Sequence, residues 1–131
     1  PKLKLQRKLN IIIYLSEFIT DKMGGELGFW SDDNHSPGEL VKSVSPIFNR
    51  AVIFDTTQNS WHGMVSPVIC PPDIYRQSMA VYYLCDVPED ADSHERALFA
   101  ARADQKGDRA IDELIKKRNN VLQAFDVYRD D

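Results

Sequence analysis

The sequence predicts a small, mainly β protein, a sandwich or barrel, that ends in a helical tail. Three observations carry this. Short runs of β-branched and aromatic residues recur at close spacing through residues 1–85. Turn-forming clusters separate them. Helical periodicity begins only beyond Asp86-Val87-Pro88-Glu89-Asp90, a polar connector that contains proline. The whole is 131 residues and 15.0 kDa, one domain's worth of chain. With 43% apolar and 27% charged residues it can bury a core.

Leu9–Leu15 (LNIIIYL) reads as a buried strand. Gly24-Gly25 marks a turn, and Glu26 opens a short run to Trp30. Ser31–Gly38 (SDDNHSPG) is a dense turn cluster. Leu40–Val44 fits a short, half-exposed strand, and Ala51–Asp55 (AVIFD) a buried one. Ser66–Tyr75, with three prolines, reads as a loop, and Ser78–Cys85 (SMAVYYLC) as the last strand. Beyond the connector, Ser93 is a candidate cap for one helix and Asp108 for a longer one. Ile111, Leu114, Ile115, Arg118 and Leu122 form one stripe on the second helix, apolar except for the arginine. The expected organisation is a core over 1–85 and a helical extension over 86–131 packed on it, with a partner-binding amphipathic helix as the alternative reading of the tail.

Charge narrows the function. The net charge is -4, all of it in residues 86–131, whereas 1–85 balance eight acids with eight bases. Nonspecific nucleic-acid binding, which needs a basic surface, loses weight. No apolar run approaches the length of a membrane span, and no signal peptide is visible. Two cysteines, Cys70 and Cys85, make no disulfide framework and suit a reducing cytoplasm; a single bridge between them stays open.

Chemistry-bearing residues concentrate at three points. His35 and His94 sit in a turn and at a helix start, and are expected to be exposed and inert. His62, in Ser60-Trp61-His62-Gly63, follows a buried strand; it reads as a metal ligand or as a hydrogen-bonded structural residue. Arg76 and Ser78 are two apart and share one face of an extended strand with Ala80 and Tyr82. A guanidinium and a hydroxyl side by side can hold a carboxylate, the one donating two parallel hydrogen bonds and the other a third. The competing reading leaves Arg76 at the exposed start of its strand. Tyr14 shares a face with Asn10 and Ile12, where its phenol could reach an anion held by Arg76, or simply sit in the core.

In the order Tyr14, His62, Arg76, these pieces resemble the iron(II)/2-oxoglutarate dioxygenases, and most of all their prolyl-hydroxylase-like branch. The matching text is LNIIIYL at 9–15, GGEL at 24–27, FNRAVIF at 48–54, SWHG at 60–63 and RQS at 76–78, leading into AVYYL at 80–84. It covers essentially all of residues 3–85. The resemblance implies a double-stranded β-helix, a cupin-like jelly roll, with Fe(II) and 2-oxoglutarate in its mouth; ascorbate is compatible as an additional cofactor. It implies His62 as the distal histidine of a His-x-Asp…His facial triad. Arg76 and Ser78 would bind the far carboxylate of 2-oxoglutarate, with Tyr14 contacting the same group. The implied reaction is decarboxylation of 2-oxoglutarate coupled to hydroxylation of a prolyl residue in a protein, or of a free amino acid or other small molecule. Trp30 and Trp61 could wall the pocket, and core packing explains them equally well.

The sequence contains no His-x-Asp. In the family this motif comes shortly before the strand that carries Tyr14. The expectation is therefore a jelly roll incomplete at its N-terminus, cut just after that motif and inactive alone; the alternative is a degenerate site. Two further readings are a noncatalytic jelly-roll module that binds a small carboxylate or a protein partner, and an unrelated β-sandwich without metal. Looser matches in the tail, such as RALF at 96–99 and ELIKKR at 113–118, imply a structural appendage. Uncovered sheet edges would favour a homo-oligomer.

Overall fold

The computed structural model describes residues 5–56, 59–89 and 98–120. Chain contacts divide the protein into two units, 1–91 and 92–131. The first contains six strands: β1 (Leu5–Tyr14), β2 (Leu27–Asp32), β3 (Pro37–Val44), β4 (Ala51–Asp55), β5 (Trp61–Met64) and β6 (Ser78–Asp86). They form two antiparallel sheets, β4-β1-β6 and β3-β2-β5. The chain passes repeatedly from one sheet to the other, the connectivity of a jelly-roll-like fold. The sheets meet through edge-to-face packing of Phe29 on β2 with Phe54 on β4, centroids 5.0 Å apart.

β1 is central because its run of isoleucines suits both neighbours. Asn10, Ile12 and Ile13 lie opposite Phe54, Val52 and Ala51 on one side and Tyr82, Ala80 and Met79 on the other. A bulge between Arg7 and Leu9 interrupts the β6 side, and Lys8 there ion-pairs with Asp55 at 2.8 Å. The β2–β3 hairpin closes through Asn34 and His35, both with positive φ (49° and 62°), between reciprocal Asp33–Ser36 backbone bonds of 2.8 and 3.1 Å. A two-residue loop needs that left-handed pair, and asparagine tolerates it better than most residues. The turn is thus tighter than the SDDNHSPG cluster suggests, and both flanking strands extend into it. β5 does not stand out as a strand in the sequence: four residues containing glycine lack a β signature, and their pairing with β2 supplies the conformation.

Among the described residues the buried hydrophobic side chains are Tyr14, Ile19 and Leu27. The core is therefore thin. β6 is an edge strand that leaves Met79, Val81, Tyr82, Tyr83 and Leu84 exposed.

The second unit contains α1 (Arg109–Asn119). Asp108 caps it as expected, accepting from the Ala110 and Ile111 amides at 2.9 and 3.3 Å. Lys116, Lys117 and Arg118 complement the C-terminal end of the dipole. The arginine that interrupts the apolar stripe lies over the Phe99 ring, 5.3 Å from its centroid. The Asn119 amide clasps both the N–H and the C=O of Phe99. Ser93, His94 and the last stripe residue Leu122 lie outside the described residues, but residues 98–102, where the helix expected from Ser93 through Leu98 and Ala101 would continue, are not helical. No helix among the described residues is long and apolar enough to cross a membrane.

Candidate functional site

Arg76 lies just before β6, on a segment pinned to the end of β1. The Ser16 hydroxyl donates to the Tyr75 carbonyl at 2.7 Å and accepts from the Gln77 amide, and the Leu15 amide donates to the Gln77 carbonyl at 3.0 Å. With its two neighbours fixed, the half-buried Arg76 side chain runs inward. Its Nε donates to the Gly25 carbonyl at 2.9 Å, and its guanidinium carbon lies 5.2 Å from the centre of the Tyr14 ring. Gly25 leads into the β2 sheet while Tyr14 belongs to the β1 sheet, so one arginine touches both layers.

Tyr14 is fully buried, and its hydroxyl makes no well-aligned hydrogen bond among the described residues, although the Arg76 guanidinium lies close enough to act on it as a donor. Burial pushes the phenol above its ordinary pKa of 10.0, against the opposing pull of Arg76 and Arg50. A pKa raised in the folded state means stability that is complete below about pH 10 and is lost as pH rises through the folded value. Tyr14→Phe should remove this alkaline loss. At neutral pH it should hold or raise stability by up to about 1 kcal/mol, since a buried hydroxyl without a well-aligned hydrogen bond goes with it. Urea unfolding between pH 7 and 11 reads both effects; an unchanged alkaline limb in the variant would contradict the assignment. Ser78 lies opposite Tyr14 in register and so shares its face, in an exposed position.

His62 stands on β5 opposite Phe29, and its ring packs edge-on against Phe54 at 4.8 Å. Phe54 belongs to the opposite sheet, so His62 faces the gap between the layers. The register puts Phe54, Asn10, Ile12 and Tyr14 on one face of the β1 sheet. Tyr14 and Ser78 thus share a face with Phe54, Arg76 lies against the Tyr14 ring, and His62, itself exposed, lies against Phe54. The His62 Nδ1 lies 2.8 Å from the Ser60 carbonyl. A carbonyl only accepts, so Nδ1 carries a proton, and in the neutral ring the lone pair then sits on Nε2. Ser60 is itself held by its hydroxyl, which donates to the Asp55 carbonyl at 2.8 Å. This is the outer-shell arrangement typical of a ligating histidine.

Trp30 and Trp61 do not wall this gap. They pair with each other one residue along from Phe29 and His62, and alternation turns them to the other face of the sheet, where the Trp61 indole donates to Asp32 at 2.7 Å. A shallow groove of about 310 Å³ lies between Leu15–Phe18 and Asp73–Gln77. None of the four candidate residues lines it, and the enclosed, unpaired polar atoms mark the inner face as the better candidate. Cys70 and Cys85 are both free thiols. Sequence reasoning passed over Asn10, which is 4% exposed with an unpaired side-chain oxygen. A polar residue inside an isoleucine run, in phase with Tyr14, was the available signal.

A family model for the 2OG-Fe(II) oxygenase superfamily matches residues 1–84. The chain belongs to this superfamily. No curated protein matches it. The family's cofactor and co-substrate are Fe(II) and 2-oxoglutarate. The oxygenase residues present are of a kind that suits the second of these: a guanidinium lies against a buried phenol, and an exposed hydroxyl shares that phenol's face. They do not by themselves fit the metal. No three His, Cys, Asp or Glu side chains converge among the described residues, and His62 is a single donor.

Proposed function

We propose that this oxygenase chain carries the co-substrate half of a hydroxylase of the prolyl-hydroxylase-like kind. The supporting observation is the Arg76–Tyr14 pair: a cation with no carboxylate partner among the described residues, stacked on a phenol with no well-aligned hydrogen bond of its own. Arg76 takes the far carboxylate of 2-oxoglutarate through its terminal nitrogens, while Nε stays on the Gly25 carbonyl. The Tyr14 and Ser78 hydroxyls complete the cradle and fix the diacid's direction. His62 would offer Nε2 as one ligand to Fe(II), which would supply the oxidising chemistry if bound, with ascorbate as the expected accessory reductant. Two free thiols support a reducing, cytoplasmic setting.

Titration with 2-oxoglutarate in a thermal-shift experiment tests the reading. The midpoint should rise with ligand, and Arg76→Ala should remove the rise. No rise in the parent chain sinks the proposal.

The same reading includes self-association of this chain. Residues 78–85 of edge strand β6 contain neither proline nor charge, the usual protections of an exposed edge. Light scattering should give a mass above the 15.0 kDa of one chain. Tyr83→Lys on the exposed strand should restore the monomer. A monomeric parent would contradict the idea.

A further inference from the structure

We propose that Asn10 and Arg7 recognise the primary substrate, and that this substrate is a small carboxylic acid carrying an N–H or O–H donor. The inference rests on the hydroxylase reading above and goes beyond it. Asn10 is 4% exposed and its Oδ1 has no donor among the described residues. An unpaired buried acceptor costs stability, which makes a partner from outside the chain its natural complement. The partner must be a donor. At neutral pH 2-oxoglutarate has only acceptors, so it cannot satisfy this oxygen.

Position supports the same conclusion. Asn10 and Tyr14 are separated by about 13 Å of strand, so the Arg76 end and the Asn10 end of the interior serve different groups. Asn10 is flanked in register by Phe54 and Tyr82. Phe54 carries the His62 ring on its edge, which puts the Asn10 row next to the histidine proposed to ligate iron. On the other flank the Arg7 guanidinium lies over the Tyr82 ring at 4.0 Å. Arg7 has no carboxylate partner among the described residues. One side of this row offers an acceptor and the other an available cation. A molecule that satisfies both carries a carboxylate for the exposed Arg7 and an N–H or O–H for Asn10. α-Amino acids and α-hydroxy acids share that chemistry.

Saturation-transfer NMR of the full chain, with 2-oxoglutarate present, would test the common free L-amino acids and their α-hydroxy counterparts. The two panels separate amine from hydroxyl donors. At least one acid should bind, and its analogue with hydrogen in place of the donor group should bind about ten-fold more weakly or worse. Asn10→Leu should weaken the acid by a similar factor, and Arg7→Gln should weaken it too. Both variants should retain 2-oxoglutarate. Leucine is close to asparagine in size, and the thermal midpoint of the variant reports whether it folds. An Asn10 with only a structural role would let Asn10→Leu raise the midpoint while acid binding stays as in the parent, and that result overturns the proposal. So does a chain that binds 2-oxoglutarate through Arg76 but no acid in either panel. A chain that binds no 2-oxoglutarate at all instead overturns the co-substrate reading on which the proposal stands.

Discussion

Arg76→Ala is expected to cut 2-oxoglutarate affinity by about 10- to 100-fold, a net loss of roughly 1.5–3 kcal/mol for a charge-assisted contact. The effect is large because the residue is pre-positioned. Ser16 holds both neighbours of Arg76, and its Nε is committed to the Gly25 carbonyl. Little side-chain entropy remains to be lost when the anion arrives. The Lys substitution separates charge from shape: it keeps the cation but loses both the planar fork and the Nε bond, so it should recover only part of the affinity. Isothermal titration calorimetry of the three proteins would decide. Equal affinity in the parent and Arg76→Ala would remove the arginine from the site.

The second large effect falls on the glycine pair before β2. Gly24 has φ 71° and ψ -162°, a region essentially reserved for glycine. A Cβ there would also lie 2.1 Å from the Pro67 carbonyl oxygen, which is backbone and cannot swing aside. Gly24→Ala should therefore cost about 2–4 kcal/mol, combining conformational strain with a forced shift of the 65–69 loop. Against so thin a core, that is enough to unfold a large share of the molecules. Gly25→Ala should behave differently. With φ 74° it is also strained, but its Cβ meets side chains, Val68 Cγ2 at 2.7 Å and Arg76 Cδ at 2.9 Å. These can move, so the stability cost should be about 1–2 kcal/mol. Moving Arg76, however, disturbs the carboxylate cradle. Denaturant unfolding combined with 2-oxoglutarate titration distinguishes the two variants. Finding both as stable as the parent would refute the account of this turn.

What could be read from the sequence followed local pattern. Ala51–Asp55 emerged with the limits expected of it, and Ser78–Cys85 differed only by one added residue, because β-branched runs between turns are self-explanatory. The common face of Asn10, Ile12 and Tyr14 followed from strand alternation alone. What could not be read depends on long-range partners. β5 is a strand only because β2 lies beside it. The Gly25 carbonyl that holds Arg76 is 51 residues away in the chain. Sequence leaves the tryptophans equally suited to a pocket wall or to the core, and it is their alternation with Phe29 and His62 in the paired strands that turns them to the far face. His62 and Arg76 stood out by residue type, whereas the Ser60 carbonyl that sets the imidazole tautomer is a backbone group with no signature in any sequence.

Arg76 reaches across from one layer to the other through its own contacts to Gly25 and Tyr14. A diacid docking on it would act as a keystone, locking the seam at the mouth of the roll. Filling and stiffening would then be one event, and whatever enters second would meet an opening already given its shape by the first.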